Sequence, residues 1–367
     1  MTPGEFRRVF ALPFSEAAGF FRAKLSLPTE KWDDLWRDEQ AKGFMSAGAM
    51  DAGLLTDLRQ MVDEAIAGDM TIADFKKAFP DLVEKYGWEL KGGGPGWRAD
   101  LIARTNINSA YQAGRWSQFE DAGVTHLKYV HMDGVINPRP EHAALNGTVL
   151  PVDDPFWAVN YPPNGFGCHC RAVAATPEEI EAATGERPKN WEKAADPGWD
   201  YNVGVAGKEE GYAALTKKFE SLPGDIARTW MGKFVMEPAF DLFIAGKIKG
   251  EFPVAVIKDK DMAALGTDKQ AVWLSAETLA EHLARHPEIG LDDYRLIPEI
   301  VDEGEVYISP VKPGEANRIV LLRKDGKLYR AAIKTTKAGD RNYLLTLFQT
   351  SDVLADEQVR STMTRVR

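Results

Sequence analysis

Apolar positions fall at helical spacing early in the chain and at strand spacing late in it. Residues Phe10–Gly43 read as helix, with Trp32, Leu35 and Trp36 forming an apolar stripe. Leu54, Leu58, Met61, Val62, Ala65 and Ile66 place a second amphipathic helix over Gly53–Ala67. Thr71 opens a shorter helix, TIADFKKAF, with Asp74 in a capping-box relation and Pro80 closing or restarting it. GGGPG at Gly92–Gly96 is a break and a subdomain seam. The longest expected helix is Trp97–Phe119. Leu101, Ile102, Thr105, Asn108 and Gln112 fall on its neighbouring faces, and a glycine stop follows Asp121.

HLKYVHMDG (His126–Gly134) alternates as a strand does. Val135–Phe166 is irregular and carries Pro138, Pro140, Pro151, Pro155, Pro162 and Pro163. A stretch of that length inside a domain needs something to hold it. Thr176-Pro-Glu-Glu starts a short helix, with Glu179 at the capping-box position. Residues 186–249 read as a connecting arm. From Glu251 the pattern turns to FPVAVI as a strand, helices over Ser275–His286 and Asp292–Asp302, then strands EVYIS, RIVLLR, KLYRAAIK and NYLLTLFQ. Asp325-Gly326 between two of them is a hairpin signal. The expected fold is therefore an α+β multidomain chain. It has a mainly helical N-terminal region (1–91), a loop-rich Cys/His core with a long helix (92–185), the arm (186–249), an α+β domain with antiparallel sheet (250–358) and a polar tail (359–367).

At 367 residues, two or three domains are the natural expectation. The formal net charge of −10 argues against general affinity for nucleic acid through bulk charge. No apolar run approaches the ~20 residues of a membrane span, so no membrane partner is expected. The start MTPGEFRRVFALPF lacks the apolar core of a signal peptide.

Both cysteines, Cys168 and Cys170, and four of the six histidines lie within His126–Cys170. Nitrogen and sulfur donors gathered so tightly in a Pro/Gly-rich segment suggest a ligand-held loop. One reading is a structural zinc site from His142, Cys168 and Cys170, with His131 or His169 as fourth donor. The other is a surface turn with free thiols and solvated histidines, because Cys-x-Cys is tighter than the usual zinc spacing. There is no HExxH, which argues against a catalytic metal.

Late in the chain His282 and His286 share a helix face, and Arg318–Arg341 holds eight Lys/Arg against two Asp. Histidine with cations and a hydroxyl could cleave RNA without a cofactor. Equally, the histidines could end a helix favourably and the cations could face solvent on a sheet.

Three ordered blocks carry a resemblance: RTNINSAYQAGRW, HMDGVINPRPEHAALNGTVLPVDDPFW and PPNGFGCHCRA. Together they resemble the phage Mu F-like minor head (head morphogenesis) proteins, over roughly Trp32–Gly204. The resemblance implies a low-copy virion component near the portal that supports head assembly and DNA packaging or ejection. Portal and capsid or scaffold proteins are the implied partners. The implied location is the head interior or portal vertex, with the host cytoplasm during assembly. Some relatives carry Cys-x-x-Cys where this chain has Asn137–His142, leaving His142 alone to stand in. Phe252–Phe348 resembles phage-borne nuclease-like domains of the Barnase–EndoU–colicin–RelE superfamily. That implies His282 as general acid or base, Lys334 and Thr336 binding phosphate, and Arg330, His286 and Ser275 in support, with RNA as partner and no cofactor. The two readings, assembly protein and carrier of a ribonuclease-type effector, stand side by side.

Overall fold

Local rules set most of the helices. Asp51 accepts the Leu54 N–H at 2.8 Å and starts the helix Ala52–Ala67, which Gly68 ends. Thr71 and Asp74 form a reciprocal capping box at the start of the helix Ile72–Tyr86. Pro80 does not interrupt that helix. It lies on the exposed side, where water can reach the carbonyl its missing N–H leaves unpaired. Pro95 sits in the first turn of the 28-residue helix Gly94–Asp121.

The computed structural model describes residues 14–132, 138–308, 317–350 and 353–367. It divides into two compact units, Met1–Glu209 and Glu210–Arg367, each α+β in composition. No helix among the described residues is long and apolar enough to cross a membrane.

In the first unit the long helix is the central element. The helices Ser15–Arg22, Ala52–Ala67, Ile72–Tyr86 and Val203–Lys208 all pack on it. Beside it lies a three-stranded antiparallel sheet. Its central strand β3 (His126–Val130) pairs with β4 (Val149–Pro151) and β5 (Arg171–Ala174). The core between helix and sheet is aromatic: Trp116, Phe119, Tyr129, Phe156, Trp157, Tyr161 and Trp199. Each such ring contributes on the order of 2–3 kcal/mol by leaving water.

Residues 14–43 do not form one helix. The helix Ser15–Arg22 is followed by β1 (Leu25–Ser26), which pairs in parallel with β2 (Gly43–Phe44). Leu25, Leu27 and Leu35 point inward, whereas Trp32 and Trp36 are exposed and pack on each other. Pro28 restricts the chain just after β1 and disfavours continued helix. The expected irregular stretch 135–166 contains, in its described part, the short helices Pro140–Ala143 and Pro155–Asn160 and strand β4.

The second unit is built on a seven-stranded sheet. Its strands are β6 (Glu251–Val256), β7 (Ala271–Ser275), β8 (Glu305–Ile308), β9 (Asn317–Lys324), β10 (Lys327–Thr335), β11 (Asn342–Thr350) and β12 (Thr364–Arg365), in the order β12-β8-β9-β10-β11-β7-β6. All neighbours are antiparallel except β11 and β7. Asp325 and Gly326 both take positive φ, 51° and 77°, and make the tight turn between β9 and β10. The expected helix over 292–302 is two, Leu291–Arg295 and Ile297–Glu303, since Pro298 supplies no N–H to a continuous one.

The connecting stretch and the tail both contribute to the packing. The stretch 186–249 is packed: Trp199, Tyr201 and Val203 join the first core, while Trp230, Phe234, Phe240 and Phe243 are buried in the second unit. The polar tail is structured as well. Val359, on the helix Val353–Thr362, packs among Tyr307, Ile319, Leu321 and Leu328, and β12 pairs with β8.

Candidate functional site

The ligand cluster is held by the polar face of the long helix. Asn108 Nδ2 donates to the carbonyls of Cys168 (2.8 Å) and Cys170 (3.3 Å). Thr105 Oγ1 accepts from Gly167 N–H at 3.0 Å, and Gln112 Oε1 accepts from Ala172 N–H at 3.2 Å. Three residues at helical spacing thus satisfy backbone groups of the cysteine loop and of the start of β5. Their polar character on a buried helix face was a signal in the sequence; its purpose was not.

Into this loop the helix Pro140–Ala143 brings His142, which is 2% exposed. The Nδ1 of His142 lies 3.7 Å from Cys168 Sγ. One donor atom each from His142, Cys168 and Cys170 falls within 4.8 Å of the others. His131 Nδ1 reaches Cys170 Sγ at 3.3 Å, which places it beside the trio, and Asn146 Oδ1 accepts its backbone N–H. His169 is outside the trio, as expected for the residue between two inward-facing neighbours in extended chain.

Asp196 completes the surroundings and was not foreseen. Its Oδ1 is 3.7 Å from His142 Nε2, a buried nitrogen with no hydrogen-bond partner among the described residues, and Oδ2 pairs with Arg139 at 3.1 Å. Burial pushes the Asp196 carboxyl up, against the pull of Arg139 and His142. The approach requires a glycine, because a Cβ at Gly165 would lie 2.1 Å from Asp196 Oδ2.

The two thiols are pushed in opposite directions. The hydrogen bond from Cys170 holds Cys168 well below the usual thiol range, with His142 adding to it, while the Cys168 thiolate and burial push Cys170 up. A thiolate, a second thiol that a cation can deprotonate, and an imidazole whose other nitrogen faces a carboxylate are the parts of a metal site. This donor set fits a metal ion.

The histidine helix of the second unit is arranged otherwise. Ser275 caps it, accepting the Thr278 N–H at 3.1 Å. His282 is buried, with Nδ1 2.6 Å from Tyr294 Oη, and Nε2 accepts the Leu347 N–H at 3.1 Å. Burial holds its imidazole below the ordinary value. His286 stacks on Phe348 (5.9 Å between centroids), and the Arg330 guanidinium lies over the same ring at 5.4 Å. So His286 and Arg330 come together on Phe348, and His282 lies beside His286, 4.8 Å between ring centroids. Lys334 lies four residues further along β10, roughly 13 Å away at strand rise, opposite Tyr343. Thr336 Oγ1 bonds Asp340 and accepts its backbone N–H, holding the turn into β11.

Residues 56–173 match the family described as Phage Mu protein F like protein. A search of curated proteins finds the "Putative capsid assembly protein F" of Escherichia phage Mu, 30% identical over 258 residues, which is 57% of this chain and 58% of that one. It also finds the Mu-like prophage FluMu F protein of Haemophilus influenzae, 28% identical over 233 residues, 52% of this chain and 56% of the relative. The chain therefore spans little more than half the length of the curated relatives it matches. No solved structure matches. Residues 56–173, which hold the long helix and the His/Cys cluster, are thus the part of the chain that is similar to the Phage Mu F-like proteins.

Proposed function

We propose that this chain is a minor head protein of a Mu-like phage, acting in capsid assembly. It is a low-copy virion component near the portal that supports head assembly and DNA packaging or ejection, with portal and capsid or scaffold proteins as partners. It assembles in the host cytoplasm and stays in the virion. The observation that carries the reading is the 258-residue similarity to a protein named for capsid assembly, which runs well beyond the family region. In this reading a structural zinc ion is held by His142, Cys168 and Cys170, with His131 as fourth donor and Asp196 orienting His142. The ion supplies a cross-link between loops rather than reaction chemistry. Deleting the gene from its phage and imaging the lysate tests the role. Absence of DNA-filled heads, restored by the wild-type gene, is expected; normal infectious particles without the protein would overturn it.

An effector role for the second unit, cleaving RNA, has less to stand on. A base must be free to take a proton from substrate. His282 is inside the protein with both ring nitrogens engaged, and Thr336 serves a turn. An RNA-cleavage assay in EDTA on the full chain, beside Lys334→Ala, tests that role; no cleavage is expected.

A further inference from the structure

The first unit contains a cleft of about 1180 Å³, separate from the metal-ligand trio, between the segment around Lys24–Leu54 and the long helix. Its walls are aromatic. Trp32 and Trp97 stand there 48% and 50% exposed, and Trp88, Phe166 and Trp199 continue the lining. Large exposed rings around a concavity mark a surface that another molecule covers.

Charges of both signs line the cleft, and several of its polar donors lack an acidic partner. Arg98 lies over both Trp88 and Trp97, at 5.9 and 5.8 Å, and gives one N–H to the Lys91 carbonyl. Its Nε is buried without a partner, and no carboxylate among the described residues pairs with it. Lys24, 5% exposed, donates to the Gln40 carbonyl at 2.6 Å and likewise has no carboxylate partner among the described residues. Trp88 Nε1 and Ser46 Oγ, on lining residues more than nine-tenths buried, are unpartnered too. The acids present do not answer these groups: Asp51 is spent capping its helix, and Glu30, Asp33 and Glu89 are not paired to them.

We propose that this cleft docks a peptide segment of a partner protein in which a carboxylate side chain is flanked by apolar residues. The carboxylate meets Arg98, whose planar guanidinium suits a two-point contact. The apolar flanks cover Trp32 and Trp97. A polyanion is the poorer match: Lys31, Lys91 and Arg139 also line the cleft, but Glu30, Asp33, Asp51 and Glu89 are interspersed with the cations, which suits a single carboxylate better than successive phosphates. The proposal goes beyond the assembly role and does not depend on it.

The test uses the full chain panned against a display library of random twelve-residue peptides. Enriched sequences are expected to share Asp or Glu beside aromatic or aliphatic residues. The leading synthetic peptide should bind at least tenfold more weakly to Arg98→Met, by tryptophan fluorescence titration. Changing the peptide's Glu to Gln should cost as much on the wild-type chain and nothing further on Arg98→Met. The peptide change needs no protein variant, so a folding defect cannot hide the result. Enriched peptides without an acid, affinity indifferent to both changes, or no enrichment at all would overturn the proposal. So would a single-stranded oligonucleotide that binds with the same dependence on Arg98.

Discussion

His282 Nε2 accepts the backbone N–H of Leu347 at 3.1 Å. Strand β11 pairs with β7 only at Asn342 and Tyr343, so beyond that point this edge of β11 has no neighbouring strand. The imidazole takes the place of a strand carbonyl there. Because Nε2 accepts, Nδ1 carries the proton and donates to Tyr294 Oη.

Replacing His282 with Ala leaves two buried groups without partners. A loss of about 2–4 kcal/mol in urea unfolding is expected, with His282→Gln recovering part of it and Tyr294→Phe costing about 1–2 kcal/mol. A variant as stable as the parent would show that the bond contributes nothing.

The same residue sets a pH dependence. Burial lowers the folded-state value of His282, while the unfolded chain titrates near 6.5. Below about 6.5 the unfolded state binds the extra proton, so stability falls with pH there and levels off below the folded value. Unfolding curves from pH 7.5 to 5 should show that slope, and Tyr294→Phe should alter it.

Lys24 predicts a slope of the opposite range. Burial, helped by nearby Arg59, pushes its amine down to about 7. The unfolded chain keeps the proton up to about 10.4, so between pH 7 and 10 the unfolded state holds more protons. Stability of the first unit rises there by up to about 1.4 kcal/mol per pH unit, and Lys42, pushed down to about 8, adds to it at the upper end. Eight of the ten tryptophans lie before Glu210, so their emission reports this unit. Lys24→Met should flatten the rise; an unchanged slope would place its origin elsewhere.

Metal content is directly measurable. Purified protein is expected to carry one zinc per chain by elemental analysis and to melt at lower temperature after EDTA. The double change Cys168→Ser, Cys170→Ser should abolish binding. Asp196→Asn should weaken it on the order of 10–100-fold, and Gly165→Ala should act the same way by displacing Asp196. Identical melting with and without chelator would remove the ion from the account.

Gly326 sits at φ 77° in the β9–β10 turn. Gly326→Ala should cost about 1–2 kcal/mol through the left-handed backbone it must adopt, and Asp325→Gly should be near neutral by the same denaturation measurement.

What the sequence disclosed was local chemistry. Thr71 with Asp74, Thr176 with Glu179, and Asp325-Gly326 each specify their structure within four residues, and each formed as read. Trp32 and Trp36 misled because their spacing suited a helix while their environment did not; burial of Leu25, Leu27 and Leu35 decided that segment. Strand β7 was missed because its apolar run AVWLS ends in the serine that caps the next helix. The His142, Cys168 and Cys170 grouping was legible from residue type and proximity. Asp196 was not, since it lies 26 residues beyond Cys170 and only the fold brings it near His142. The histidine pair of the second unit looked chemically able, and burial with a strand N–H gave His282 a different task.

Asn108 has a mechanical consequence. One side-chain amide grips the carbonyls on both sides of the Cys168–Cys170 step, and Thr105 and Gln112 clamp the chain before and after it. The 28-residue helix and the cysteine segment are therefore tied at four backbone groups, so that displacing one without the other means breaking those bonds.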